Sequence, residues 1–217
     1  MPYPATQVDL QQWPRAQHFA FFKDFQQPYF NVCVRLDARL LFAYCHAQAL
    51  SFFSAYIYLV HKSAQQYWPM GLRIVDDQPV HYQQVTMSVV QLAEDDSFRF
   101  SYLDDTPCYT TYAQRMREEK ARAANEPLFS EAFARTEGRA DVLHVSVLPW
   151  LQFSGFSHAT CLGATHGIPK VVLGQYDKVS GCMPLALDVH HALMDGLHSA
   201  KYIQVLQEMM HNPSDYL

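Results

Sequence analysis

The amino-acid sequence predicts an α/β protein folded as one domain over residues 1–217. Three observations predict it. Short alternating or β-branched runs and longer glycine-free runs with helical spacing follow one another along the chain. Of the 217 residues, 49% are hydrophobic and 14% aromatic, enough apolar surface for one packed core. No internal repeat, low-complexity tract or linker interrupts the pattern.

The elements follow in order. "RAQHFAFFKDF" (15–25) reads as a helix feeding a strand that alternates from Phe30, with Val32, Val34 and Leu36 on one face. Residues 38–68 are apolar and free of glycine, and read as two successive helices broken near Ser51 and ended by Pro69 and Gly71. "LRIVDDQPVHYQQVTMSVVQL" (72–92) reads as a strand, a turn at "DDQP" and two further strands. Residues 106–127 form the clearest helix, with mixed charges at i,i+4 and Pro127 at the far end. "DVLHVSVLPWLQFSGF" (141–156) and "PKVVLGQYDKVSGCMPLALDV" (169–189) read as sheet, the second as a hairpin turning at "DKVSG". An amphipathic helix closes the chain, with Leu197, Ala200, Ile203, Leu206 and Met210 recurring at near-helical spacing.

Charge and targeting signals narrow the function classes. A formal net charge of -5 with scattered basic residues argues against nucleic acid or an anionic membrane as partner. The start, "MPYPATQVDLQQW", lacks the charged and apolar regions of a secretory signal. The longest apolar run, "LSFFSAYIYLV" (50–60), is about half of the roughly 20 residues that span a bilayer. The expectation is a soluble cytoplasmic protein. Cys33, Cys45, Cys108, Cys161 and Cys182 are odd in number and contain no CxxC pair, which suits reduced thiols.

Candidate chemistry gathers in "VHHALMDGLH" (189–198). A metal reading would draw on His158, Cys161 and His166 in "HATCLGATH", or on His190, His191 and Asp195; neither group has a fourth ligand at structural-zinc spacing or an HExxH pattern, so no metal is expected. "CLGATHG" matches no phosphate loop, and "FSGFS" is no GxSxG elbow. No cysteine stands in a visibly electropositive context that would favour thiolate. Alternation along "CMPLALDVHH" sends Met183, Leu185, Leu187 and Val189 to one face and brings the histidines to the strand's exit, where side chains meet a cleft. Imidazole there suits a general base, since its ordinary pKa is about 6.5. Asp195, just before Gly-Leu-His, reads from spacing alone as a helix N-cap worth about 1 kcal/mol. From these residues alone, a polar strand-to-helix junction and a catalytic base both stand.

Three separated blocks carry a resemblance. "WPRAQHFAFF", "HVSVLPWLQFSGF" and "PLALDVHHALMDGLH" are similar, in order and spacing, to the Trp-x-Arg…His-Phe, Ser-x-x-Pro-Trp-x-x-Phe-x-x-Phe and His-His-x-x-x-Asp-Gly-Phe-His blocks of the type A chloramphenicol acetyltransferase family. The third block is shared with lipoamide acyltransferases and other HxxxDG enzymes; the three together are specific. The resemblance implies a two-layer sandwich in which a mixed β-sheet is covered by helices. It also implies a homotrimer with active sites between subunits, and acetyl-CoA as co-substrate with no metal. His191 would then be the base that deprotonates a hydroxyl of a small acceptor, chloramphenicol or a related compound, with His190 structural. Ser146 would donate a hydrogen bond to the tetrahedral oxyanion, a contact typically worth about 3 kcal/mol. Asp195 would pair with Arg15 to hold the active-site turn.

The same resemblance assigns Phe22 and Phe30 to the acceptor pocket and Trp150 and Tyr176 to the CoA channel. It also marks departures. Phe22 stands where the family has tyrosine, Val172 where it has threonine, and Ser51 and Gln175 where it has lysines near the CoA 3'-phosphate, leaving Lys62, Lys170 or Lys178 to supply that charge. Residues 80–137 match poorly. The lost polar contacts motivate an alternative: a catalytically weak relative that binds small hydrophobic ligands without turnover.

Overall fold

The structure is a computed structural model that describes residues 2–159 and 166–217. Its elements run β1 (Ala5–Gln7), α1 (Ala16–Phe22), β2 (Tyr29–Asp37), α2 (Arg39–Ala47), α3 (Phe52–Gln66), β3 (Leu72–Val75), β4 (Gln78–Tyr82), β5 (Thr86–Leu92), β6 (Phe98–Leu103), α4 (Tyr109–Ala124), α5 (Glu131–Thr136), β7 (Val142–Leu148), β8 (Lys170–Gly174), β9 (Cys182–His190) and α6 (Gly196–His211). Six strands form one mixed sheet in the order β2-β9-β8-β7-β5-β6, with β5, β7 and β8 parallel and the other neighbours antiparallel. A second sheet, β1-β4-β3, stands apart.

Pairing register sorts the large sheet into two unlike faces, because directly opposed residues project to the same side. Leu185 and Leu187 on β9, Val171 and Leu173 on β8, Val145 on β7, and Met87 and Val89 on β5 share one face, and all join a core with Ala55, Ile57 and Leu59 of α3, Met116 of α4 and Leu206 of α6. The opposite face carries Asn31, Asp188, Lys170, His144, Ser146 and Ser88. Among the described residues no helix lies over its centre; residues 149–159 cross it instead. Gly174 permits that crossing, since a Cβ there would meet the Leu151 carbonyl at 2.8 Å. Gln152 then bonds the Gln175 carbonyl, and Lys170 Nζ donates to the Ala159 carbonyl at 3.0 Å.

Local chemistry explains the element boundaries. Ser51 separates α2 from α3 and caps α3 by accepting the Ser54 N–H at 3.2 Å. Asp76 and Asp77 both take positive φ, 49° and 58°, giving the two-residue turn that joins Val75 to Gln78. Arg73, wholly buried beside it, donates to the carbonyls of Met70, Leu72, Ala140 and Val142 at 2.6–2.8 Å and ties the hairpin to β7. On α4, Arg122 pairs with Glu119 and Glu126 and, with Glu119, bonds the backbone of β6, while Tyr109, Tyr112, Ala113 and Met116 are buried.

Four readings from the sequence change. The 141–156 strand ends at Leu148, because Pro149 breaks the ladder and the chain must leave the sheet to cross it. Strand β6 and helix α5 carry weak apolar periodicity and went unread. The buried stripe of α6 is Ser199, Tyr202, Leu206, Met209 and Met210, which leaves Leu197 62% exposed. Lys62 is committed to Asp105 at 2.7 Å and the Thr106 carbonyl at 3.0 Å, so it is not free to hold a phosphate. Cys33, Cys45, Cys108 and Cys182 are unpaired, and Cys161 lies outside the described residues. No helix among the described residues is long and apolar enough to cross a membrane.

Candidate active site

The candidate site is built where β9 gives way to α6. His190 is the last residue of β9, opposite Tyr29 on β2, and is 4% exposed with the Tyr29 ring packed edge-on at 5.3 Å. Its Nδ1 lies 3.3 Å from the Ala192 N–H, and its carbonyl accepts the Leu193 and Met194 N–H groups. Burial, together with the neighbouring His191, pushes the His190 imidazole down to about 4, so it sits neutral as scaffolding for the turn.

His191 follows outside the ladder, its N–H donating to the Pro28 carbonyl at 2.8 Å. Its ring is clamped by aromatics: Phe22 of α1 stacks on it at 4.0 Å and 3° between planes, and Phe30 of β2 leans on it at 4.9 Å. Nδ1 is buried with no hydrogen-bond partner among the described residues. Packing, rather than a side-chain hydrogen bond, therefore fixes the ring.

Asp195 closes the turn. One carboxylate oxygen accepts the Leu197 and His198 N–H groups at 3.0 and 3.3 Å, capping α6, and takes the His198 imidazole at 2.7 Å. The other pairs with Arg15, whose second amino group donates to the His191 carbonyl at 2.9 Å. Burial works against charge on Asp195; the hydrogen bonds from His198 and the charges of His198 and Arg15 outweigh it and hold the carboxyl at about 2. The cap and the anchor are thus one carboxylate in two roles, and Arg15 crosses 180 positions of sequence to lock the backbone of His191.

The other residues singled out by the sequence lie elsewhere. Ser146 is half-buried on β7, opposite Val172, which is fully buried. Tyr176 stacks on Phe42 at 4.7 Å and packs against Phe52. Trp150 is 59% exposed and lines a small hollow with Phe53 and Lys120. A larger cavity of about 370 Å³ opens on the polar sheet face, walled by Tyr29, Ser88, Tyr102, His144, His166 and Lys170 among others. Sequence reading missed it, though "HVS" places His144 two residues from Ser146 on the same side of the strand. Among the described residues no three metal-ligating side chains converge.

This sheet and helix arrangement recurs in solved structures. One of a chloramphenicol acetyltransferase matches with a TM-score of 0.85 and 21% identity, covering 95% of this chain and all of that one. A probable dihydrolipoamide acetyltransferase from Listeria monocytogenes matches with a TM-score of 0.67 and 16% identity, covering 95% of this chain and 94% of the other. The fold so defined is the chloramphenicol acetyltransferase-like fold. The chain belongs to the chloramphenicol acetyltransferase family, whose model matches residues 3–207. Similar relatives include chloramphenicol acetyltransferase 2 of Escherichia coli, 24% identical over 95% of this chain and 97% of its own length. A chloramphenicol acetyltransferase of Klebsiella sp is 26% identical over 94% and 92%. The family uses acetyl-CoA as co-substrate.

Proposed function

We propose that this protein is a cytoplasmic O-acetyltransferase that moves acetyl from acetyl-CoA to a hydroxyl of a small acceptor, with His191 as general base. Chloramphenicol, the compound the relatives' names carry, is the first acceptor to test. The observation that carries the reading is the turn in which Arg15 and Asp195 fix the backbone of His191 while Phe22 and Phe30 fix its ring. Because Nδ1 faces the interior, Nε2 is the nitrogen available to the acceptor. It takes the hydroxyl proton as the oxygen attacks the thioester carbonyl, and returns a proton to the departing CoA sulfur. Ser146 donates to the oxyanion formed in between. Trp150 and Tyr176 flank the acetyl-CoA path, and Phe22, Phe30 and Val172 shape the acceptor side.

Two copies share each site in this reading, and the register supports it. Ser146 stands in the row Ser146–Val172–Ala186, two strands from β9, and His190 lies four residues further along β9. At about 4.8 Å per strand and 3.3 Å per residue, their Cα atoms are about 16 Å apart, too far to serve one reacting carbon. A homotrimer that seats His191 of one copy opposite Ser146 of the next closes that gap.

Thiol release from acetyl-CoA, followed with a panel of alcohols including chloramphenicol, tests the reaction. The expected result is acceptor-dependent release that His191→Ala abolishes; release equal to that control with every alcohol overturns the reading. Co-assembly of His191→Ala and Ser146→Ala subunits tests the sharing: activity returns in mixed oligomers, and none returns if both residues must come from one chain.

A further inference from the structure

The cavity on the polar sheet face is next to Ser146. Its floor includes Ser88, His144 and Lys170, which form one transverse row across β5, β7 and β8, and the next row on the same face is Ser146 with Val172. Its walls include the flat rings of Tyr29 and Tyr102. At about 370 Å³ it suits a ligand of one ring with two or three substituents.

Charge distinguishes this cavity. Lys170 reaches into it from β8, donating to the Ala159 carbonyl at 3.0 Å with its ammonium 5.7 Å from the Tyr29 ring centre, so among the described residues two of its three N–H donors remain available. The facing carboxylate, Asp188, is already shared between His158 and the Asn31 amide at 3.0 Å. The other cation of the lining, Arg139, is committed to Asp141 at 2.7 Å. Glu137, the acidic residue of the lining, lies at the exposed rim. His144 is held neutral by burial and by Lys170, at about 4, and so supplies hydrogen bonding without charge. Burial lowers the Lys170 pKa, and the charge of Asp188 opposes that shift without cancelling it.

We propose that this cavity selects a hydroxylated acceptor that carries a carboxylate, with Lys170 as the specificity-determining residue that pairs with it. One ammonium with donors to spare matches a single negative charge, and the aromatic walls take a flat body between carboxylate and hydroxyl. A neutral acceptor in the same place offers Lys170 no charge to pair with. The proposal rests on the acetyltransferase reading for the fate of the hydroxyl, but not for binding.

A matched pair of probes separates the two. 4-(Hydroxymethyl)benzoate and its neutral amide, 4-(hydroxymethyl)benzamide, share size and hydroxyl and differ in charge. Isothermal titration calorimetry on the intact protein is expected to show the benzoate binding at least ten-fold tighter than the amide. Lys170→Met should erase that preference and Lys170→Arg should retain it, with circular dichroism confirming that both variants fold. Acetyl transfer should follow the same order in kcat/KM. Equal binding of the two probes, tighter binding of the amide, no binding of either, or a preference unchanged by Lys170→Met overturns the proposal. Preferential binding without acetyl transfer upholds the charge selection and counts against the acetyltransferase reading alone.

Discussion

The two faces of the six-stranded sheet are made from the same strands and differ in kind. On one, Leu185, Leu187, Leu173, Val145 and Val89 are fully buried under helices within one apolar cluster. On the other, Asn31, Lys170, His144 and Ser146 are half-buried beside a buried Asp188, and Asn31, Asp188 and Lys170 are hydrogen-bonded there. One face holds the fold, and the other holds groups that a fold alone does not require. The lesson is that period-two alternation lets a single strand serve both purposes: β9 places Leu187 in the core and Asp188 in the polar network one residue apart.

Opposite effects on the two faces would sharpen this comparison, and like effects would break it. On the polar side the largest losses are in turnover. His191→Ala is expected to lower the acetylation rate by about 10²–10⁴-fold, the usual contribution of a positioned base. Ser146→Ala should lower it by about 10²–10³-fold, as for loss of an oxyanion donor, with the thermal midpoint within a few degrees of the parent. On the apolar side Leu187→Ala is expected to cost about 2–5 kcal/mol of stability in denaturant titration, while the protein that remains folded keeps its rate. A Ser146 variant that unfolds, or a folded Leu187 variant that is inactive, would show that the faces are not separable.

The junction between β9 and α6 belongs to both. Arg15 is 8% exposed at its side chain and Asp195 32%, so removing the carboxylate should cost less than breaking a fully buried pair, about 3 kcal/mol at most. Asp195→Ala is therefore predicted to lower both the unfolding midpoint and the rate. Asp195→Asn, which can still accept the Leu197 N–H, should recover part of the stability and less of the rate. Parallel chemical-denaturation and thiol-release measurements on the two variants check the split.

How much of this was legible in the sequence follows from the range of each interaction. Local signals worked: Ser51 as a break, the Asp-Asp turn after Val75 and the β8–β9 hairpin are set by residues within a few positions. The approach of Arg15 to Asp195 came from the family resemblance, because no spacing rule links residues 180 apart. The polar cavity was illegible for a different reason. His144 and Lys170 belong to different strands, and their adjacency exists only once β7 and β8 pair in parallel register. Strand β6 was missed because "SFRFSYL" leaves Phe98, Phe100 and Tyr102 exposed or half-buried and buries Ser101 with Leu103, the reverse of the usual aromatic-in pattern.

Acid should probe the polar face next. His144 and His190 both fall from 6.5 to about 4 through burial. An unfolded chain therefore binds protons between pH 6.5 and 4 that the folded one refuses, so stability is full above pH 6.5 and declines as pH falls toward 4. The size is about 3 kcal/mol for each imidazole. Thermal midpoints measured across that window should drop, and His144→Asn should flatten the slope. An unchanged slope would mean that this imidazole is charged in the folded state.

The smallest effect tests the one helix whose stripe was misread. The sequence pattern puts Leu197 in the same row as Leu206, but the turn held by Asp195 sets the helix phase, and Ser199, Tyr202 and Leu206 take the inward positions. Leu197 then lies on the first turn with its side chain in water, 62% exposed. Leu197→Ala should change stability by no more than about 0.5 kcal/mol, whereas Leu206→Ala, from a fully buried site, should cost about 2–5 kcal/mol. If Leu197→Ala leaves monomer stability untouched yet weakens oligomer assembly, its exposed side chain is covered in the oligomer, and α6 belongs to an interface as well as to the core.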